Sequence, residues 1–198
     1  MIRKINIILT TIILSLGIIL KNDVATADNE GISKYHKDVA ATMNQVYLSL
    51  DEKTKDYMKV QNYHIIFLQE GQKCIDAATD LEPFVTENTT AYINYTTKNI
   101  KVAYLDEDKP DWIICNLYHE IGHMIDERLG FISNTSDFDM IYRLRHDFFD
   151  RFKWDNVEYF KSNRMECFAQ MYSNYKQHGE WQKENFPSIY EYFYNIEN

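Results

Sequence analysis

Apolar positions Ile32, Tyr35, Val39, Met43, Val46, Tyr47 and Leu50 recur at steps of three and four, which predicts an amphipathic helix with one buried stripe. The run Tyr63-His64-Ile65-Ile66-Phe67-Leu68 is rich in β-formers and stops at Glu70-Gly71, so it reads as a strand. Ala91–Tyr95 and Ile100–Leu105 read as two further strands, joined around Thr97-Lys98-Asn99 as a hairpin. After a charged turn containing Pro110, the period becomes helical from Trp112. There Ile114, Leu117, Tyr118, Ile121, Ile125 and Leu129 share a face, and Gly130 suits the C-terminal stop. Asp137–Phe152 predicts another helix, Trp154–Ser162 a loop, Arg164–Lys176 a helix ending at Gly179, and Pro187–Ile196 a short closing helix. An N-terminal helix and a small group of strands followed by helices predicts a single α+β domain.

The first residues fall outside that pattern. Arg3 and Lys4 precede the apolar run Ile5–Leu20, and Ala25-Thr26-Ala27 offers the small residues of a cleavage site. The expectation is a signal peptide over 1–27, a folded domain over 28–198 and secretion. An uncleaved anchor is the alternative, although the run is short for a bilayer span. Without residues 1–27 the chain keeps 18 Lys and Arg against 29 Asp and Glu. So acidic a surface argues against nucleic acid and anionic lipid as partners. No second long apolar run predicts membrane association, and a monomer is expected. The three cysteines, Cys74, Cys115 and Cys167, are too few and too odd in number for a disulfide framework. A Cys115–Cys167 bridge and buried free thiols both remain open.

The chemistry concentrates at His119-Glu120-Ile121-Gly122-His123, an H-E-x-x-H within the predicted helix. Residues four apart lie on one helix face, so His119 and His123 can grip one Zn²⁺, with Glu120 in reach of its water as general base. A catalytic zinc takes a third protein ligand. The metzincin pattern fails, because Asp126 and Leu129 stand where it needs Gly and His. His146 lies in a charged stretch and reads as solvated, as His36 and His64 read as structural. Asp126, one turn beyond His123, suits a hydrogen bond to a ligand histidine. Glu166 is the best third ligand: it opens a helix 43 residues after His123, as in His₂Glu sites. Asn163 and Glu166 also fit a capping box, which would turn that carboxylate back to the backbone.

His119–His123 with Asp126, followed by Glu166-Cys167-Phe168-Ala169, resembles the catalytic domain of anthrax-lethal-factor-type metallopeptidases. These include the small secreted Pro-Pro endopeptidases of Gram-positive bacteria. The resemblance covers roughly residues 100–172 and implies a zincin-like fold, one Zn²⁺ and hydrolysis of peptide or protein substrates. It also implies a role for Tyr159, seven residues before Glu166, as the oxyanion donor. Met165 and Gln170 depart from the family, which usually carries an acid at one of those places. None of Trp112, Trp154 and Trp181 falls in the substrate loop where Pro-Pro endopeptidases carry theirs. The reading is thus a secreted zinc endopeptidase, with a Pro-Pro-specific enzyme and a non-catalytic zinc-stabilised binding module as alternatives. Strand Ile100–Leu105 is expected to offer the edge to which an extended peptide adds.

Overall fold

A computed structural model describes residues 34–69, 71–80, 82–103, 110–151 and 157–198. The expected signal peptide and its cleavage site lie outside these residues. The first helices are α1 (Lys34–Ser49) and α2 (Glu52–Gln61). Asp51 caps α2 by accepting the Thr54 N–H at 2.9 Å, and Asn62 closes it in the left-handed region (φ 58°). The pattern of apolar residues misses α2 because only Thr54 and Met58 are buried in it, which leaves no stripe to detect.

Strands β1 (His64–Phe67), β2 (Ala91–Asn94) and β3 (Asn99–Val102) form one sheet in the order β1-β3-β2. The hairpin is the expected one. β2 and β3 pair antiparallel with Ile93 opposite Ile100, and the Asn94 side chain accepts the Thr96 and Thr97 N–H groups to close the turn. β1 then joins β3 in parallel, Ile65 beside Ile100. The central place of β3 corrects one expectation: Ile100–Val102 is paired on both sides, and among the described residues β1 and β2 form the edges of the sheet. Ile100 and Val102 are accordingly fully buried.

Helix α3 (Pro110–Arg128) crosses the middle of the molecule. Leu117, Ile121, Met124 and Ile125 are completely buried, and so is the polar Asp126. Its end is a Schellman motif. Gly130 sits at φ 70°, its N–H bonding Glu127 O, while the Phe131 N–H reaches Asp126 O at 2.7 Å. Near the same end Glu127 accepts from Tyr57, Tyr63 and Lys98, which ties α2 and the hairpin turn to α3.

The predicted helix over 137–152 is broken. A 3₁₀ turn leads into α4 (Asp139–Arg143) and α5 (Arg145–Arg151). At the break Arg145 turns back to Tyr142 O and across to Lys161 O, both at 3.0 Å. The expected loop over 154–162 instead carries helix α6 (Val157–Ser162) in its described part. α7 (Arg164–Asn185) is interrupted at His178, whose φ of −131° and ψ of 36° are non-helical, next to the expected stop at Gly179; helix then resumes to Asn185, and α8 (Pro187–Glu197) folds back on it through Ile189 and Phe193. Among the described residues no helix is long and apolar enough to cross a membrane.

A candidate metal centre on two touching helices

α3 and α7 meet at backbone distance. A Cβ on Gly122 would lie 2.8 Å from Ala169 Cα and 3.0 Å from Ala169 O, so only glycine admits this approach. The glycine inside the pentapeptide therefore brings the first turn of α7 over the histidines. Asn163 caps α7 by accepting the Met165 and Glu166 N–H groups at 3.0 and 3.4 Å. The Glu166 carboxylate does not complete a capping box; it points to the imidazoles.

Three donor atoms converge there. His119 Nε2 lies 3.0 Å from Glu166 Oε2 and 3.1 Å from His123 Nε2, and His123 Nε2 lies 3.4 Å from the same oxygen. One ion with tetrahedral bonds of about 2.0–2.1 Å holds its ligands about 3.3 Å apart, which is this spacing. Neutral imidazoles cannot satisfy the three contacts together, because a proton between two ring nitrogens is unavailable to the carboxylate. A shared cation satisfies all three. His119, His123 and Glu166 are the one group among the described residues able to hold a metal ion, and both geometry and donor chemistry fit it.

The electrostatics agree with that geometry. Burial works against a charged Glu166, yet the two imidazoles beside it outweigh that cost and hold the carboxylate well below its usual range. Burial would lower His123, but the carboxylate of Glu166 beside it raises it instead. Glu120 is 7 % exposed, and burial pushes its proton affinity up, against the pull of His119 and His123. The nearby Ile93 backbone N–H of β2 pulls in the same direction as the histidines. Tyr159 on α6 has a half-exposed ring. Burial of its hydroxyl, then the charge of Glu166 and a hydrogen bond to it, push the phenol above its ordinary range.

One expectation changes. Asp126 does not serve a ligand histidine, because Ser133 occupies both carboxylate oxygens, with N–H to Oδ1 at 2.8 Å and Oγ to Oδ2 at 2.6 Å. His123 Nδ1 is buried without a hydrogen-bond partner. The histidine that does gain a partner is His119, whose Nδ1 lies 2.8 Å from Gln170 Oε1. Gln170 stands four residues after Glu166, one α7 turn further on and on the same face, which was the signal available in the sequence. Cys115 and Cys167, whose pairing was open, are free thiols, as is Cys74. His146 is exposed, as expected.

The solved structure of the Pro-Pro endopeptidase PPEP-2 from Paenibacillus alvei is similar to this chain, with a TM-score of 0.61. The match covers 93% of this chain and 99% of that one at 17% sequence identity. The chain therefore has the α+β fold of that endopeptidase, with a candidate metal centre built on its two central helices. No protein-family model and no curated protein sequence matches it.

Proposed function

We propose that this chain is a secreted zinc endopeptidase of the anthrax-lethal-factor type, acting on extracellular bacterial or host proteins. The carrying observation is the convergence of His119 Nε2, His123 Nε2 and Glu166 Oε2 beside a buried Glu120. These three residues would hold Zn²⁺, which when bound supplies Lewis-acid polarisation of the scissile carbonyl and a more acidic water. Glu120 takes the proton of the attacking water and returns it to the leaving amine. Its raised proton affinity suits the second half of that task. Tyr159 donates its hydroxyl to the developing oxyanion. An extended substrate adds to the β2 edge, where the Ile93 N–H lies near Glu120.

The similar solved structure is described as a Pro-Pro endopeptidase, which favours a second reading in the same class: cleavage between prolines. Profiling cleavage of a peptide library separates the two. The test of the class itself is metal content together with hydrolysis of a denatured-protein mixture. Wild type should bind one Zn²⁺ and cleave, and Glu120→Ala should keep the metal and lose cleavage. Zinc-loaded wild type without cleavage would mark a binding module, and activity surviving Glu120→Ala would sink the mechanism.

A further inference from the structure

We propose that Gln170 is the positioning residue that makes His119 a metal ligand, by fixing which of its ring nitrogens carries the proton. The proposal rests on the metal-centre reading above. An imidazole offers a ligand lone pair at Nε2 only when its proton sits on Nδ1. The Nδ1 of His119 faces Gln170 Oε1 at 2.8 Å, and an amide oxygen can only accept. The proton is thereby held on the side away from Glu166 and His123, and Nε2 is left bare toward them.

The amide is held in turn. Gln170 is 3 % exposed, and its Nε2 points to Cys115 Sγ at 3.8 Å. Ser173 Oγ donates to Cys115 O at 2.8 Å, fixing α7 to α3 one turn further along. A flipped amide would present N–H groups to Nδ1 and drive the proton to Nε2, against the metal. The two histidines therefore differ: His119 has an acceptor behind it, and His123 Nδ1 has none. Because Gln170 is neutral, it orients the ring without adding charge, so a carboxylate in its place would orient the ring and make it a stronger donor as well.

The test compares Gln170→Leu and Gln170→Glu with wild type, reading Zn²⁺ affinity by chelator competition and the ring tautomer in metal-free protein by long-range ¹H–¹⁵N NMR. Loss of an outer partner of this kind weakens metal binding about 10- to 100-fold. That loss is expected for Gln170→Leu, with Nδ1–H no longer dominant at His119. Gln170→Glu, which preserves the acceptor, should bind Zn²⁺ at least as tightly as wild type. A residue that merely fills space would give the reverse order, since leucine fits a buried site better than an added charge. Glutamate weaker than leucine, or both variants equal to wild type, overturns the proposal. A wild-type chain that takes up no Zn²⁺ overturns it together with the metal-centre reading. Zn²⁺ uptake without peptidase activity overturns only the proposed function.

Discussion

The α3–α7 seam and the three-stranded sheet meet at Glu120, yet they are built by opposite rules. The seam has no slack: two long helices touch at Gly122 and Ala169, and buried polar groups are held in place, Asp126 by Ser133 and Gln170 by His119 and Cys115. The sheet has four-residue strands and is held by side chains at its margins. Glu82 accepts from Lys101 at 3.1 Å, from the Thr79 N–H at 3.0 Å and from Asn94 at 3.2 Å, so it ties the segment before β2 to both strands of the hairpin. The contrast assigns work. Donor atoms 3.0–3.4 Å apart need rigid carriers, whereas the edge proposed to receive a peptide needs only exposed backbone.

The sharpest way to break this contrast is Gly122→Val. Its side chain would meet Ala169 backbone atoms on a facing helix, so the helices must part and carry Glu166 away from the histidines. Overpacking of this kind costs about 1–3 kcal/mol, and metal affinity should fall by more than stability does. Chelator competition beside thermal unfolding checks it. A variant that binds Zn²⁺ like wild type would show that the close approach does not set the site.

Tyr159→Phe probes the same centre from α6 without touching the seam. Removing one oxyanion donor lowers kcat by about 10²–10³-fold. Zinc content should hold, because the phenol contributes no donor atom to the three-residue group. Loss of metal in this variant would reassign Tyr159 from the reaction to the support of Glu166.

How much of this was legible follows the same division. H-E-x-x-H, its helix and the Gly130 stop could be read because periodicity and cap chemistry are local. Glu166 could be read because spacing limits the choices for a third ligand. The order of the strands could not: β1 joins β3 across an intervening segment, and parallel pairing leaves no mark on either strand. Nor could the partner of Asp126, since Ser133 reaches it only after the chain reverses at Gly130 and Phe131. Helix α2 was hidden by its polarity, and α6 by its brevity. Gln170 was visible only as a departure from the family, and its use became evident when α7 came to lie on α3.

On the sheet side, Glu82→Gln should cost stability and spare the metal. The carboxylate is almost fully buried and its ion pair with Lys101 is broken on one side only, a loss of about 3 kcal/mol. The pH dependence has a definite sign. Burial raises the carboxyl pKa, but Lys101, the Thr79 N–H and Asn94 outweigh it and hold Glu82 below its ordinary 4.5. A group depressed in the folded state stabilises above its unfolded pKa, and that contribution fades as pH falls through and below 4.5. Urea unfolding of the metal-free protein between about pH 3 and 6 should show an acid limb that Glu82→Gln flattens. Zn²⁺ affinity altered beyond about twofold at neutral pH would mean that sheet and seam are coupled more tightly than their separate contacts imply.

The smallest effect is expected at the other glycine near the histidine-bearing helix α3. Gly122 and Gly130 lie two turns apart, but glycine is required for different reasons. At Gly122 a Cβ has no room, while at Gly130 it meets nothing within 4 Å and only the positive φ of 70° disfavours it. Gly130→Ala should therefore cost about 1 kcal/mol of backbone strain and leave Zn²⁺ affinity unchanged, because the Phe131 N–H bond to Asp126 O survives a side chain that points into open space. Thermal unfolding with a parallel metal titration reads both quantities. A large loss of metal at Gly130→Ala would place the site's rigidity in the helix end and its Asp126–Ser133 bonds rather than in the contact with Ala169. The seam would then be a consequence of the turn that follows it.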